Sequence, residues 1–194
     1  MNLLEMVTSY LGDDGVEKVG QSLGSDKGTA ASALAQAVPF LVGAMARNTK
    51  SDEGAAALNG ALDRDHDGSI LDNLGSLINS PEAGAGSGIL RHVLGSRQPA
   101  VQQAVAQKSG LSMESAGKLL AMAAPMIMGY LGKQKRENNL GAGDIAGMLQ
   151  HTAGTMEKDD DSGGGIGGMV KGLLDADGDG SIMDDVGGII GKLF

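Results

Sequence analysis

Apolar side chains recur three and four residues apart along most of the chain. The clearest stripe comprises Leu34, Val38, Leu41 and Met45. This spacing places the side chains on one face of an α-helix. Pro39 lies inside the stripe and predicts a kink or break, because it lacks an N–H and clashes with the Ala35 carbonyl. No run alternates apolar and polar residues with β-branched enrichment, so the sequence predicts an all-α, multihelical fold.

The same pattern returns 86 residues later in the chain. The second stripe comprises Leu120, Ala124, Ile127 and Leu131. At this offset Pro125 matches Pro39, Gly129 matches Gly43 and Gly110 matches Gly24. A shared offset of this kind predicts an internal duplication. We expect one all-α domain, residues 1–194, made of a first repeat (1–80) and a second (89–194) with a Gly/Asp-rich insertion near 156–168.

Shorter helices are predicted around the first stripe. Gly12 should end an N-terminal helix, and the following Asp13–Gly15 reads as a turn. Another helix should begin at Ser51 and run to Leu62. Residues 79–88 are rich in Gly, Ala, Ser and Pro and predict a linker between the repeats.

Each predicted repeat ends in an Asp-rich corner. Residues 62–74 read Leu-Asp-Arg-Asp-His-Asp-Gly-Ser-Ile-Leu-Asp-Asn-Leu, and residues 174–186 read Leu-Asp-Ala-Asp-Gly-Asp-Gly-Ser-Ile-Met-Asp-Asp-Val. Both share three alternate Asp, then Gly, Ser and Ile, with a further acid three residues after the Ser. The two frames lie 112 residues apart. We expect each to form a helix–loop–helix corner.

Three alternate carboxylates in one tight loop match the oxygen ligands that Ca²⁺ prefers. The frame resembles the first half of an EF-hand loop, whose sixth-position Gly permits the turn and whose seventh residue offers its carbonyl. The first predicted ligand set is Asp63, Asp65, Asp67 and the Ser69 carbonyl. The second is Asp175, Asp177, Asp179 and the Ser181 carbonyl.

The second half of each corner departs from the EF-hand pattern. Position twelve, where an EF-hand has a bidentate Glu, holds Leu74 in the first corner and Val186 in the second. We therefore expect Asp72 to close the first site. Asp184 or Asp185 would close the second. The alternative is a metal-free corner in which Ser69 and Ser181 act as helix N-caps.

The net charge of −9 is concentrated in these corners. Residues 63–73 contribute −3 and residues 175–186 contribute −5, so the rest of the chain is nearly neutral. The chain has no excess of basic residues, so we do not expect it to bind nucleic acid or an anionic membrane surface. The N-terminus does not resemble a signal peptide, and we expect a cytoplasmic protein without membrane spans. Cysteine is absent, which excludes disulfides and thiolate metal sites.

The duplicated Pro-containing helix followed by Leu-Asp-x-Asp-x-Asp-Gly-Ser-Ile resembles the YidB-like family of bacterial proteins of unknown function. The resemblance covers most of the chain. It implies a small multihelical fold of partly duplicated units and no established enzymatic activity. It supplies no catalytic residues.

Two functions are compatible with the sequence. The first is a non-enzymatic protein whose EF-hand-like loops bind Ca²⁺ in a structural or ion-responsive role. The alternative is a protein–protein or self-assembly module, with a homo-oligomer or a protein partner and metal-free corners. A hydrolase that uses the bound metal is a third reading, but no general base and no small-molecule substrate site can be recognised.

Overall fold

The regular structure of the described residues is entirely helical, which confirms the all-α prediction. The computed structural model describes residues 3–64, 68–79 and 86–158. Its α-helices are α1 (Leu3–Leu23), α2 (Lys27–Asn48), α3 (Asp52–Arg64), α4 (Leu74–Asn79), α5 (Gly86–Leu94), α6 (Gln98–Ser109), α7 (Met113–Asn138) and α8 (Ala142–Lys158). Two 3₁₀ helices, Ser69–Asn73 and Gly95–Arg97, precede α4 and α6.

α1 bends at Gly12, where the sequence predicts a helix end. Gly12 has φ +62° and ψ −180°, a conformation outside the helical region that side-chain-bearing residues rarely adopt. Helix continues on both sides of it. The kink lets the buried Val7 and Leu11 on one side and Val16 and Val19 on the other share one core.

α2 and α7 are the most deeply buried helices of the described chain. The sequence predicts a kink or a break at Pro39, and the break is wrong, because α2 runs as one helix through this residue. A proline inside a helix costs about 3 kcal/mol. The neighbouring Phe40, Leu41 and Val42 are almost fully buried, and burying such side chains contributes about 1.5–3 kcal/mol each, which offsets that cost.

The boundaries of α2 and α7 follow the same offset of 86 residues. Gly24 (φ +69°) and Gly110 (φ +76°) both adopt the left-handed conformation that ends a preceding helix. Two residues later, the N-cap side chains of Asp26 and Ser112 accept hydrogen bonds from Thr29 N (2.9 Å) and Ser115 N (3.0 Å). α2 and α7 therefore agree in where they begin and in the backbone angles of the glycines before them. The internal repeat and the limits of the domain stay predictions.

Several sequence expectations are refined around these two helices. The linker predicted at 79–88 extends too far, because residues 86–88 already belong to α5. Gly86 lies against the Ala121 backbone, where a Cβ would collide with the carbonyl oxygen. No helix was expected at 142–158, yet α8 lies there, and it includes the first three residues of the insertion placed at 156–168. α8 packs against α2 and α3.

Candidate metal corner at residues 63–72

The first Asp corner begins at the end of α3. Asp63 lies in its last turn with an exposed carboxylate, and Arg64 is its last residue. After residues 65–67 the chain resumes at Gly68, with φ +94°, and enters the 3₁₀ helix Ser69–Asn73. The Gly68 carbonyl accepts a hydrogen bond from Leu71 N at 3.0 Å. The chain therefore turns sharply where the motif places its glycine.

Gly68 is required both by its backbone angle and by the space around it. The positive φ disfavours any residue with a side chain. A Cβ at this position would also lie 3.1 Å from Lys133 Cβ and 3.4 Å from the Gly129 carbonyl oxygen on α7. The corner is thus pressed against α7 at its glycine.

The residues after Gly68 hold the corner on α7. A Cβ built on Gly129 would lie only 2.5 Å from Ile70 Cγ2 and 3.5 Å from Leu71 Cγ. Gly129 therefore forms a small depression into which the Ile70 side chain fits. Leu71 is buried at the same place. The corner continues into α4, which packs on α1, where Ser22 Oγ donates to the Ile78 carbonyl at 3.2 Å.

A single described cation contacts the Asp63 carboxylate. The Lys135 ammonium of α7 forms a salt bridge and hydrogen bond with Asp63 Oδ1. The Lys135 side chain is 12% exposed and that of Asp63 is 56% exposed. The lysine therefore approaches the corner from the protein side, while the carboxylate remains open to solvent on the other.

A second polar cluster surrounds Lys133, two residues before Lys135 on α7. Lys133 Nζ donates to Tyr10 Oη at 3.0 Å, lies 5.3 Å from the centre of the Tyr10 ring, and pairs with Glu137 at 3.9 Å. Partial burial raises the pKa of the neighbouring Tyr130, with smaller contributions from Tyr10 and Glu137. The cluster ties α1 to α7 beside the corner.

The predicted ligands divide between described and undescribed residues. Asp63 and Ser69 have described positions, with Ser69 exposed at the start of the 3₁₀ helix. Asp72 lies in that helix, with only its backbone described. Outside the described residues lie Asp65, Asp67, Asp175, Asp177, Asp179, Ser181, Asp184 and Asp185. Over residues 3–64, 68–79 and 86–158, no group of three or more His, Asp or Glu side chains could hold a metal ion.

Sequence reasoning missed the partners that α7 supplies. Lys135 is 72 residues from Asp63, and no local spacing links the two. Gly129 was identified only as the counterpart of Gly43, although a glycine in the middle of a long apolar stripe is itself a sign of close packing. Met122, Met126 and Met128, which also lie on α7, are buried in the core.

An apolar groove lies on another face of the described chain. It has a volume of about 510 Å³ and runs between α3 and α5, with the end of α2 at its base. Its apolar lining includes Met45, Leu58, Ile89, Val93 and Met128. The residues that line the groove include no cluster of acidic side chains, and none of them belongs to the Asp corner.

α2 is the one helix in the described part of the chain that is long and apolar enough to span a membrane. Its most apolar window has a mean hydropathy of 1.5, and 67% of that window is buried inside the protein. Core helices of soluble proteins meet the same criterion, so this is weak evidence for a membrane span.

Comparison with known proteins gives one result. The family model described as "Bacterial protein of unknown function (DUF937)" matches residues 5–134, which include nearly all of α1, α2 to α6, most of α7 and the whole first Asp corner. The chain matches no curated protein and no solved structure. The YidB-like resemblance of the sequence agrees with this family. The chain therefore belongs to the DUF937 family of bacterial proteins of unknown function.

Proposed function

We propose that this protein is a non-enzymatic helical scaffold in which Ca²⁺ binds the Asp corners and fixes the angle between the helices that flank them. The observation that carries the proposal is the backbone at Gly68. Its positive φ lies at the position where an EF-hand-like loop needs its glycine. The Asp63 carboxylate, five residues earlier, remains open to solvent.

The charge of the corner supports a divalent ion. Asp63, Asp65 and Asp67 bring three carboxylates into five residues, and carboxylates this close repel one another. Lys135 offsets one of those charges. With Arg64 and the fourth carboxylate, Asp72, also counted, the corner still carries −2, which a Ca²⁺ ion would offset, and Asp72 and the Ser69 carbonyl would be further oxygen ligands.

The packing of the corner gives such an ion a structural role. Ile70 and Leu71 lie between the proposed ligands Ser69 and Asp72 and rest on Gly129 of α7. An ion that fixes the loop would therefore also fix the contact between the corner and α7. We propose the same role for Asp175, Asp177, Asp179, Ser181 and Asp184 or Asp185 in the second corner, on the basis of the shared sequence frame.

Thermal unfolding in Ca²⁺ and in chelator tests the proposal. At about 100 times its Kd, an ion that binds only the folded protein stabilises it by about 2.7 kcal/mol. For a chain of this size that raises Tm by roughly 5–10 °C. Asp65→Ala and Asp177→Ala should each reduce this increase and leave the Tm in chelator nearly unchanged.

Asp14→Ala is the matched control, because Asp14 is an exposed acid on α1 outside both motifs. It should keep the full response to Ca²⁺. If Asp65→Ala and Asp177→Ala lower Tm equally in Ca²⁺ and in chelator, the corners stabilise the fold without an ion and the proposal fails.

The groove between α3 and α5 favours a second candidate function, a self-assembly module whose Asp corners are metal-free. A second copy of the chain would supply the side chains that fill the groove. Light scattering with and without EDTA separates the two candidates. Oligomers that persist in EDTA and are lost in Leu58→Glu, which charges the groove wall, favour assembly. A monomer under both conditions eliminates it.

A further inference from the structure

A cavity distinct from the apolar groove lies between α5, α6 and the first turns of α7. Its volume is about 570 Å³, which is within the range of ligand pockets in proteins. Met113 lies at its edge and, among the residues that the structure describes, is the one large apolar side chain that is clearly exposed, at 47%. None of the residues that line the cavity is a predicted Ca²⁺ ligand.

Two glycines bring the walls of this cavity together. α5 touches α7 at Gly86, where a Cβ would collide with the Ala121 carbonyl oxygen. α6 touches α7 at Gly117, where a Cβ would lie 3.0 Å from Gln102 Nε2 and 3.5 Å from Gln102 Cδ. The Gln102 carboxamide therefore lies directly against the backbone of α7.

Two carboxamides of α6 line the cavity without a protein partner. Gln98 and Gln102 are four residues apart, which places them on one face of the helix, and both are partly buried. Neither side chain makes a hydrogen bond within the described part of the chain. A carboxamide offers an N–H donor beside a carbonyl acceptor, and leaving such a group partly buried and unpaired costs free energy. A ligand that supplies an acceptor and a donor together would pair with each of them.

The wall that α7 contributes has no net charge. Lys118 Nζ and Glu114 Oε1 form an ion pair at 2.7 Å. The hydrogen bond from Lys118 holds the pKa of Glu114 below its ordinary value, so the carboxylate stays charged and paired at neutral pH. The cavity therefore has no excess of either charge with which to select an anion or a cation. None of the described residues that line it is aromatic, so it offers no surface on which a nucleobase could stack.

The spacing of the two carboxamides matches that of an extended peptide. Four residues of α-helix advance about 6 Å along the helix axis. In an extended strand the N–H and C=O of one residue point to the same side, and those of the residue two places on follow about 6.6 Å further. A segment that runs along α6 could therefore pair alternate residues with Gln98 and Gln102, each through two hydrogen bonds.

We propose that this cavity binds an extended peptide segment of a protein partner, held through its backbone by Gln98 and Gln102. Met113 contacts an apolar side chain of that segment. Recognition of this kind obtains its affinity from main-chain hydrogen bonds and its selectivity from the few side chains that meet the protein. The site is separate from the proposed Ca²⁺ scaffold, and its function does not require an ion in either Asp corner.

A peptide without charged side chains or termini tests the proposal. Tetraalanine, acetylated and amidated at its ends, is about 13 Å long when extended and can reach both carboxamides. When it is titrated into the full chain, the backbone NMR signals around Gln98, Gln102 and Met113 should shift and reach saturation, equally in Ca²⁺ and in chelator. The ester analogue, in which oxygen replaces each peptide N–H, should bind at least about tenfold more weakly, because both carboxamide oxygens lose their donors.

Methionine variants of α6 identify the groups that hold the peptide. Gln98→Met and Gln102→Met preserve the length of the side chain and remove its polar atoms, and each should weaken tetraalanine binding about tenfold. Gln103→Met and Gln107→Met are the matched controls, because these two glutamines are also four residues apart but lie exposed outside the cavity. Both controls should bind the peptide as the wild-type chain does.

Several outcomes would overturn the proposal. Equal affinity for tetraalanine and its ester analogue would do so with the wild-type chain alone, whether or not the variants fold. Equal losses in the test and control variants, or no saturable shifts at millimolar peptide, would also do so. If the same signals move with protein concentration in the absence of peptide, a second copy of the chain occupies the cavity instead. Failure of Ca²⁺ binding would leave all these results unchanged.

Discussion

α2 and α7 begin in the same way and end differently. Each follows a left-handed glycine, donates a backbone N–H hydrogen bond to the capping side chain one residue before it, and continues through a buried proline-containing segment. α2 then stops at Asn48, whereas α7 continues to Asn138 and ends at Asn139 in the left-handed conformation. Shared local signals therefore specify where both helices start, and later residues decide what each helix contacts.

The C-terminal ends of these helices carry different chemistry. Lys135 of α7 reaches the Asp63 carboxylate of the first corner. The residue at the corresponding offset after α2 is Thr49, which is buried and donates its hydroxyl to the Ala46 carbonyl at 3.0 Å. The two helix ends therefore present different groups to a neighbouring segment, a lysine ammonium on α7 and a buried threonine after α2.

The largest effect is expected from the two apolar stripes. Leu34 and Leu120 occupy matching, almost fully buried positions. Leu34→Ala and Leu120→Ala should each lower the free energy of unfolding by about 2–5 kcal/mol, measured by urea denaturation. Met113→Ala, at a position that is 47% exposed, is the control and should cost less than about 0.5 kcal/mol. A loss below about 1 kcal/mol at one leucine would break the equivalence of the two helices.

The next effect concerns the glycine that receives the first corner. Gly129→Ala places a Cβ 2.5 Å from Ile70 Cγ2, and such overpacking costs about 1–3 kcal/mol. Gly147→Ala adds a methyl group to open space on α8 and should instead stabilise the protein by about 0.5–1 kcal/mol. Urea denaturation of both variants checks the pair. Equal stabilisation by both would show that the corner does not pack tightly on α7.

The N-cap residues of α2 and α7 should stabilise the protein with a different dependence on pH. Hydrogen bonds from Thr29 N and Thr29 Oγ1 hold the pKa of Asp26 below its ordinary value of 3.8. Because the folded pKa is depressed, the stabilisation by Asp26 is present above pH 3.8 and is lost as pH falls below it. Asp26→Ala should therefore destabilise at neutral pH but have little effect at the lowest pH where the protein folds.

Ser112→Ala is the matched comparison for that cap. The Ser112 hydroxyl does not titrate, so its removal should cost about 0.5–2 kcal/mol at every pH. Thermal unfolding from pH 3 to pH 7 measures both variants. A pH-dependent loss in Ser112→Ala, or a pH-independent loss in Asp26→Ala, would contradict this difference between the helices.

The smallest effect on stability should come from Lys135→Met. Met preserves much of the volume of the buried side chain, and a partly exposed ion pair contributes at most about 1 kcal/mol. Removal of the positive charge should nevertheless strengthen Ca²⁺ binding at the first corner about threefold or more, because the ammonium repels the ion. Lys118→Met, which breaks the pair with Glu114, should leave the Ca²⁺ affinity unchanged. Weaker binding in Lys135→Met would place the ammonium among the groups that favour the ion.

Local patterns predicted much of the fold. The stripes around Leu34 and Leu120 depend on residues three and four positions apart, so the sequence reveals them. The helix end and turn predicted at residues 12–15 are wrong, because only Gly12 leaves the helical conformation and α1 continues beyond it. The continuity of α2 through Pro39 depends on tertiary burial and could not be read locally. α8 was missed because Gly143, Gly147 and Gly154 interrupt its apolar pattern and lower its helix propensity.

The candidate site was predictable only in part. The positive φ of Gly68 was predictable from the motif, because the turn needs such an angle and glycine adopts it without strain. The contacts of Lys135 with Asp63 and of Gly129 with Ile70 join residues 72 and 59 positions apart. Such contacts depend on how α3 crosses α7, which no local spacing specifies.

Calorimetric titration with Ca²⁺ tests the proposed role of the Asp corners most directly. The wild-type chain, stripped of metal with chelator, should bind about two ions, and Asp65→Ala and Asp177→Ala should each bind one fewer. The double variant should give no binding heat. If the wild-type chain gives no heat and no increase in Tm at millimolar Ca²⁺, both corners are metal-free turns and the ion-clamped scaffold is contradicted.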